Sequence, residues 1–234
     1  MAIKIRRAQD RGFADHGWLK SWHTFSFADY HDPAHMGFRS LRVINEDFVA
    51  GGKGFGSHPH QDMEIITYVL EGTLTHKDSM GHQGNIKAGD IQKMSAGTGV
   101  THSEFNADPQ KTVHLFQIWV QPNSRGIAPA YQQITLQGSF KNGLLLVASE
   151  HKNADTVFLQ QDAQIYIGRF KAGARHLYHV KPKRGLWLQM AAGHTVVNEQ
   201  ELNNSDALAV ENEPVLTIKM LKDSEFILFD LASF

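Results

Sequence analysis

From residue 63 onward the chain is a succession of short apolar runs separated by glycine-bearing turns, and it lacks the 3.6-residue period of an amphipathic helix. Residues 63–70, 73–78, 91–94, 100–105 and 113–120 read as strands, with turns at Glu71-Gly72, Ser79-Met80-Gly81 and Lys87-Ala88-Gly89-Asp90. Strands this short bury their apolar faces only by stacking sheets or closing a barrel, so the pattern predicts an all-β sandwich or barrel. Residues 121–129, with two prolines and a glycine, read as a connector, and the same rhythm then resumes to residue 231. That repetition predicts a duplicated β architecture, and 234 residues at 41% hydrophobic content suffice for substantial cores.

Upstream, the segment 8–47 is dense in aromatics and histidines, among them Trp18, Trp22, His23, Phe27, Tyr30 and Phe38. Residues 21–27 and 41–45 read as strands and 29–37 as a loop. Aromatic clusters of this kind are ordinarily core, with a substrate-facing wall as the alternative.

Two stretches carry chemistry. In Gly54-Phe55-Gly56-Ser57-His58-Pro59-His60 and in Gly97-Thr98-Gly99-Val100-Thr101-His102-Ser103-Glu104, an extended backbone puts His58 with His60, and His102 with Glu104, on one face of each strand. Two such pairs on neighbouring strands can close around one metal ion. A lone His-x-His is ordinarily two hydrogen-bonded strand histidines; a second pair beside glycine-rich turns favours the metal. With no cysteine in the chain, a transition-metal site must use His, Asp and Glu. Three imidazoles and a carboxylate suit Fe(II), Mn, Co, Ni, Cu or Zn.

A formal charge of −1 leaves no electrostatic footprint for nucleic acid or an anionic membrane. The N-terminal residues show no apolar signal segment, and no run of about 18 apolar residues occurs. These features predict a soluble, cytoplasmic protein. The basic run Lys181-Pro182-Lys183-Arg184 is read as a solvated turn.

His58-Pro59-His60 with Glu64 and Gly72, and Gly89 with Gly97, His102 and Asn106, resemble the two cupin motifs. More closely, His-Pro-His, residues 68–72, 94–99 and His102-Ser103-Glu104, with residues 22–27 and 37–43, resemble the pirin family of bicupins; the likeness is strong over 6–119 and weak beyond 122. The resemblance implies two tandem cupin barrels, taken as 1–125 and 126–234, and one divalent metal per chain in the first. Fe(II) is the first choice, with Mn, Co, Ni, Cu or Zn as alternatives. The implied ligands are His58, His60, His102 and Glu104. Glu104 takes the place of the usual first-motif glutamate and leaves Glu64 outside the coordination sphere. The remaining histidines, His23, His76 and His114 among them, are read as structural or solvated. His179-Val180-Lys181 falls where a second His-x-His would lie, and a protonated lysine cannot ligate, so the second barrel is expected to hold no metal. The implied activity is quercetin 2,3-dioxygenase-like cleavage of a flavonol by O₂, with Glu104 as the base that takes the substrate's hydroxyl proton. The alternative is a metal- or redox-sensing protein that regulates a protein partner.

Overall fold

The computed structural model describes residues 2–136 and 142–233. Apart from a single 3-10 turn at Ala8–Asp10, the regular elements are all strands. No helix of the described residues is long and apolar enough to cross a membrane.

The chain forms two compact units: one comprises Gly12–Leu136 with His151–Gln161, the other Met1–Arg11, Gln137–Glu150 and Asp162–Phe234. A single cut at 125/126 therefore describes neither membership fully. Backbone pairing gives the reason: strand Ala2–Arg6 is antiparallel to Ala207–Glu211 in the sheet of the second unit, while strand Ala130–Thr135 is antiparallel to Asp90–Ser95 in the first.

In the first unit a seven-stranded sheet runs in the order Ala130–Thr135, Asp90–Ser95, Glu64–Glu71, Val113–Val120, Leu41–Val49, Leu19–His23, Gly12–Asp15. A four-stranded sheet runs Gly54–His60, Val100–Asn106, Thr73–Asp78, Gln83–Lys87. Alternation decides what each strand contributes. Along Thr73–Asp78, the side chains of Leu74, His76 and Asp78 are buried and those between them less so. The expected strand 21–27 ends at His23, because residues 24–27 leave the ladder and turn into the loop that carries Tyr30.

The second unit pairs a sheet of Ala2–Arg6, Ala207–Glu211, Gly185–Ala192, Ser224–Leu231, Ala163–Phe170 and Gly143–Ser149 with a sheet of Arg175–His179, Val215–Met220, Thr195–Val197 and Gln200–Leu202. Its core is a packed apolar cluster that includes Leu188, Met190, Leu216, Ile218, Phe226 and Leu228. The position expected of a second His-x-His shifts here. His176 and Tyr178 are the less exposed side chains of Arg175–His179, His179 is exposed and Lys181 lies beyond the strand. A one-residue offset moves every side chain to the opposite face. Tyr178 donates a 2.5 Å hydrogen bond to Asp230, which Arg184 also engages, so these three polar groups satisfy one another.

Candidate metal centre

Strand Val100–Asn106 is flanked by Gly54–His60 on one side and Thr73–Asp78 on the other, with His102 opposite His58 and Glu104 opposite His76. A β-bulge lies between His102 and Glu104, where Glu104 pairs with Phe55; bulges re-aim side chains beside functional sites. Gly54 permits the close approach of the two strands. A Cβ there would stand 2.1 Å from the Glu104 carbonyl oxygen and 2.5 Å from the Phe105 Cα.

The nitrogens of His58, His60 and His102 lie within 4.8 Å of one another. His58 Nδ1 donates to the Gly56 carbonyl at 2.7 Å, the hydrogen bond that in the neutral ring leaves Nε2 free to ligate, and that Nε2 is 3.0 Å from His102 Nε2. Two ligands at about 2.1 Å from one ion and at right angles would be ~3.0 Å apart, and at the tetrahedral angle ~3.4 Å. The spacing is compatible with two ligands on one ion, and the donor set fits a divalent transition metal. Burial, and then the neighbouring His58, pushes His60 down to about 4 and His102 down to about 3, so both rings are neutral, as ligation requires, across the ordinary pH range.

Glu104 is not a member of that trio. It joins a second group with His102 and His76, all three buried. Gln117 Nε2 donates to Glu104 Oε2 at 2.7 Å, and Thr67 Oγ1 to Oε1 at 3.4 Å. Burial, and next the charge of Asp47, raises the Glu104 carboxyl to about 7 against those two hydrogen bonds. Behind His102, His76 is fully buried and its Nε2 is 3.1 Å from Asp78 Oδ2. Asp78 also accepts from the Met80 and His82 backbone amides. His76 was expected to be structural; its pairing opposite Glu104 brings it to the edge of the site.

Glu64 lies away from this centre. The side chains of Ile65 and Thr67 point toward it, so the intervening alternation sends Glu64 to the other face of its strand. There Lys93 Nζ sits 3.3 Å from Glu64 Oε2 and donates to Ser95 Oγ at 2.6 Å, with both charged side chains buried.

The three histidines open onto a cavity of about 620 Å³, within the range typical of small-molecule sites. Its aromatic wall runs from His60 to Trp119 (5.1 Å between ring centroids), from Trp119 to Phe27 (5.4 Å) and from Phe27 to His23 (5.3 Å). Several aromatics of the N-terminal segment thus line a cavity rather than fill a core. Sequence reasoning missed the polar lining from the large sheet: Ser21, Asn45, Asp47 and Gln117. The available signal was polar residues inside otherwise apolar strands, as with Gln117 in Val113–Val120.

Comparison with known proteins agrees with this architecture. The pirin family model matches residues 4–120 and that of the quercetinase C-terminal cupin domain matches 146–231. The chain is 44% identical over 229 residues to the quercetin 2,3-dioxygenase of Escherichia coli strain K12, covering 98% of each. It is 43% identical over 223 residues to a pirin-like protein of Caulobacter vibrioides, covering 94% of this chain and 96% of that one. The crystal structure of YhhW from Escherichia coli superposes with a TM-score of 0.97 at 44% identity, covering 100% of this chain and 99% of that chain. The structure of bacterial pirin YhhW in complex with nickel(II) superposes at 0.96 and 43% identity, covering 100% of each. With two cupin domains in one all-β chain, a pirin match over 4–120 and relatives this similar over nearly the whole length, the protein belongs to the pirin family.

Proposed function

We propose that this protein is a metal-dependent dioxygenase that cleaves a flavonol such as quercetin, with one divalent metal held by His58, His60, His102 and Glu104. The observation that carries the reading is the 3.0 Å approach of His58 Nε2 to the Nε2 of the buried His102 at the base of an aromatic-walled cavity. The curated relative named quercetin 2,3-dioxygenase and the nickel(II) complex of YhhW support the substrate class and the metal respectively.

The chain's own residues account for binding and proton handling. A flat aromatic ring fits the edge-to-face series of His60, Trp119 and Phe27, which excludes water from its faces. Glu104, fixed by Gln117 and Thr67, is the carboxylate at the site that would take a hydroxyl proton from the substrate. A divalent transition metal, when bound, supplies Lewis acidity toward the substrate's oxygens and the means to use O₂.

The test is oxygen uptake with quercetin by protein loaded in turn with Fe(II), Mn, Co, Ni and Cu. Uptake by at least one form is expected. No uptake with any flavonol in any form would overturn the proposal and favour a protein-binding role.

A further inference from the structure

The inner face of the large sheet carries a polar patch that the ligand-binding histidines do not explain. Ser21, Asp47, Asn45 and Gln117 come from three adjacent strands: Ser21 pairs opposite Asp47, and Asn45 opposite Gln117. Asp47 and Gln117 are therefore diagonal neighbours on one face, and both line the cavity while only 3% and 8% exposed. Two of their oxygens, Asp47 Oδ1 and Gln117 Oε1, are buried with no hydrogen-bond partner among the described residues. Their other groups are engaged: Ser21 bonds the Asp47 carboxyl, and Gln117 Nε2 donates to Glu104.

A buried acceptor left without a donor is destabilising, because its lost hydration is not replaced. Two side by side at the wall of a ligand-sized cavity are a site for a donor. Gln117 Oε1 only accepts, and Asp47 Oδ1 accepts once its carboxyl is ionised, so the complementary group above about pH 7 is an O–H or N–H rather than a carbonyl or a carboxylate.

We infer that Asp47, with Gln117, forms a second polar subsite that accepts a hydrogen bond from a ligand hydroxyl other than those facing the histidines. This rests on the aromatic-substrate reading above and adds to it a requirement: the preferred ligand is a polyhydroxylated aromatic, and Asp47 is the residue that senses its additional hydroxyl. Burial raises the Asp47 carboxyl to about 7, in keeping with a group that lacks compensation until a donor arrives.

The experiment is anaerobic binding to the metal-loaded protein at about pH 8, where the Asp47 carboxyl is ionised, read by quenching of tryptophan fluorescence. The two probes are quercetin and 3-hydroxyflavone, which share the 3-hydroxy-4-keto head and differ in their other hydroxyls. Wild type is expected to favour quercetin by about tenfold or more, the value of one hydrogen bond to a charged group. Asp47→Ala, which leaves no side-chain acceptor at this position, should bring that ratio close to one. Should Asp47→Ala fail to fold, Gln117→Met, compared at matched metal loading, removes the other unpartnered oxygen and carries the same test. Equal wild-type affinities, or a ratio that the foldable variant leaves unchanged, would overturn the inference and assign water to these atoms. Discrimination without oxygen uptake would sink only the dioxygenase reading, whereas oxygen uptake without discrimination would sink only this subsite.

Discussion

His58 Nε2 and His102 Nε2 approach to 3.0 Å across paired strands, and His58 is locked in the tautomer that turns its lone pair toward His102. Lone pairs at that distance repel unless a proton or a cation lies between them. His58→Ala or His102→Ala should therefore lose most of the metal, whereas Glu64→Gln, on the opposite strand face, should retain it. Elemental analysis of the purified variants decides; loss of metal from Glu64→Gln with retention in Glu104→Gln would reverse the ligand assignment.

Ligation by Glu104, as proposed, should make metal binding pH-dependent in a defined direction. With its carboxyl at about 7, the metal-free protein carries a proton there below neutrality, and ligation by the carboxylate must release it. Affinity should rise with pH up to about 7, and calorimetry in buffers of different ionisation enthalpy at pH 6 should find proton release to which Glu104 contributes close to one. His60 and His102, neutral down to about 4 and about 3, contribute none at that pH. The Glu104→Gln variant should release about one proton fewer than wild type; equal release would place Glu104 outside the coordination sphere.

Removing the base should cost rate more than metal. Loss of a general base typically slows a reaction by about 10²–10⁴-fold. Glu104→Gln is therefore expected to lose at least about tenfold in turnover per bound metal, a conservative reading of that range. Oxygen-electrode rates normalised to metal content would measure it, and an unchanged normalised rate would remove Glu104 from proton transfer.

The Glu64–Lys93 pair gives a stability prediction separate from the chemistry. Lys93→Met leaves Glu64 buried without its partner and should destabilise the protein by about 3–5 kcal/mol, while Lys93→Met combined with Glu64→Leu should recover most of that loss. Denaturant unfolding of the single and double variants checks this; additive losses would show that the pair is not coupled.

Asp47 should leave a signature in the metal-free protein's pH–stability curve. Its carboxyl sits at about 7 rather than near 3.8, so the folded chain keeps a proton that the unfolded chain releases. The contribution is fully present below about pH 4 and is lost as pH rises through about 7. Asp47→Asn should flatten the fall over that window, as thermal unfolding across pH would show.

The sequence by itself determined most of the strands and turns from residue 63 to 120 and the placing of His58 with His60 on one face, because alternation and glycine-bearing turns are local properties of the chain. It also determined that any transition metal must be held without cysteine. Tertiary structure decided the rest, through contacts between distant segments. Which strand neighbours Val100–Asn106 determined that Glu104 meets His76. The sheet order sent strand Ala2–Arg6 to the far end of the chain. A one-residue offset in Arg175–His179 turned His179 outward, where motif spacing placed a ligand. Asp47 and Gln117 are ordinary polar residues in a linear reading, and only the pairing of their strands aligns their unpartnered oxygens beside a cavity.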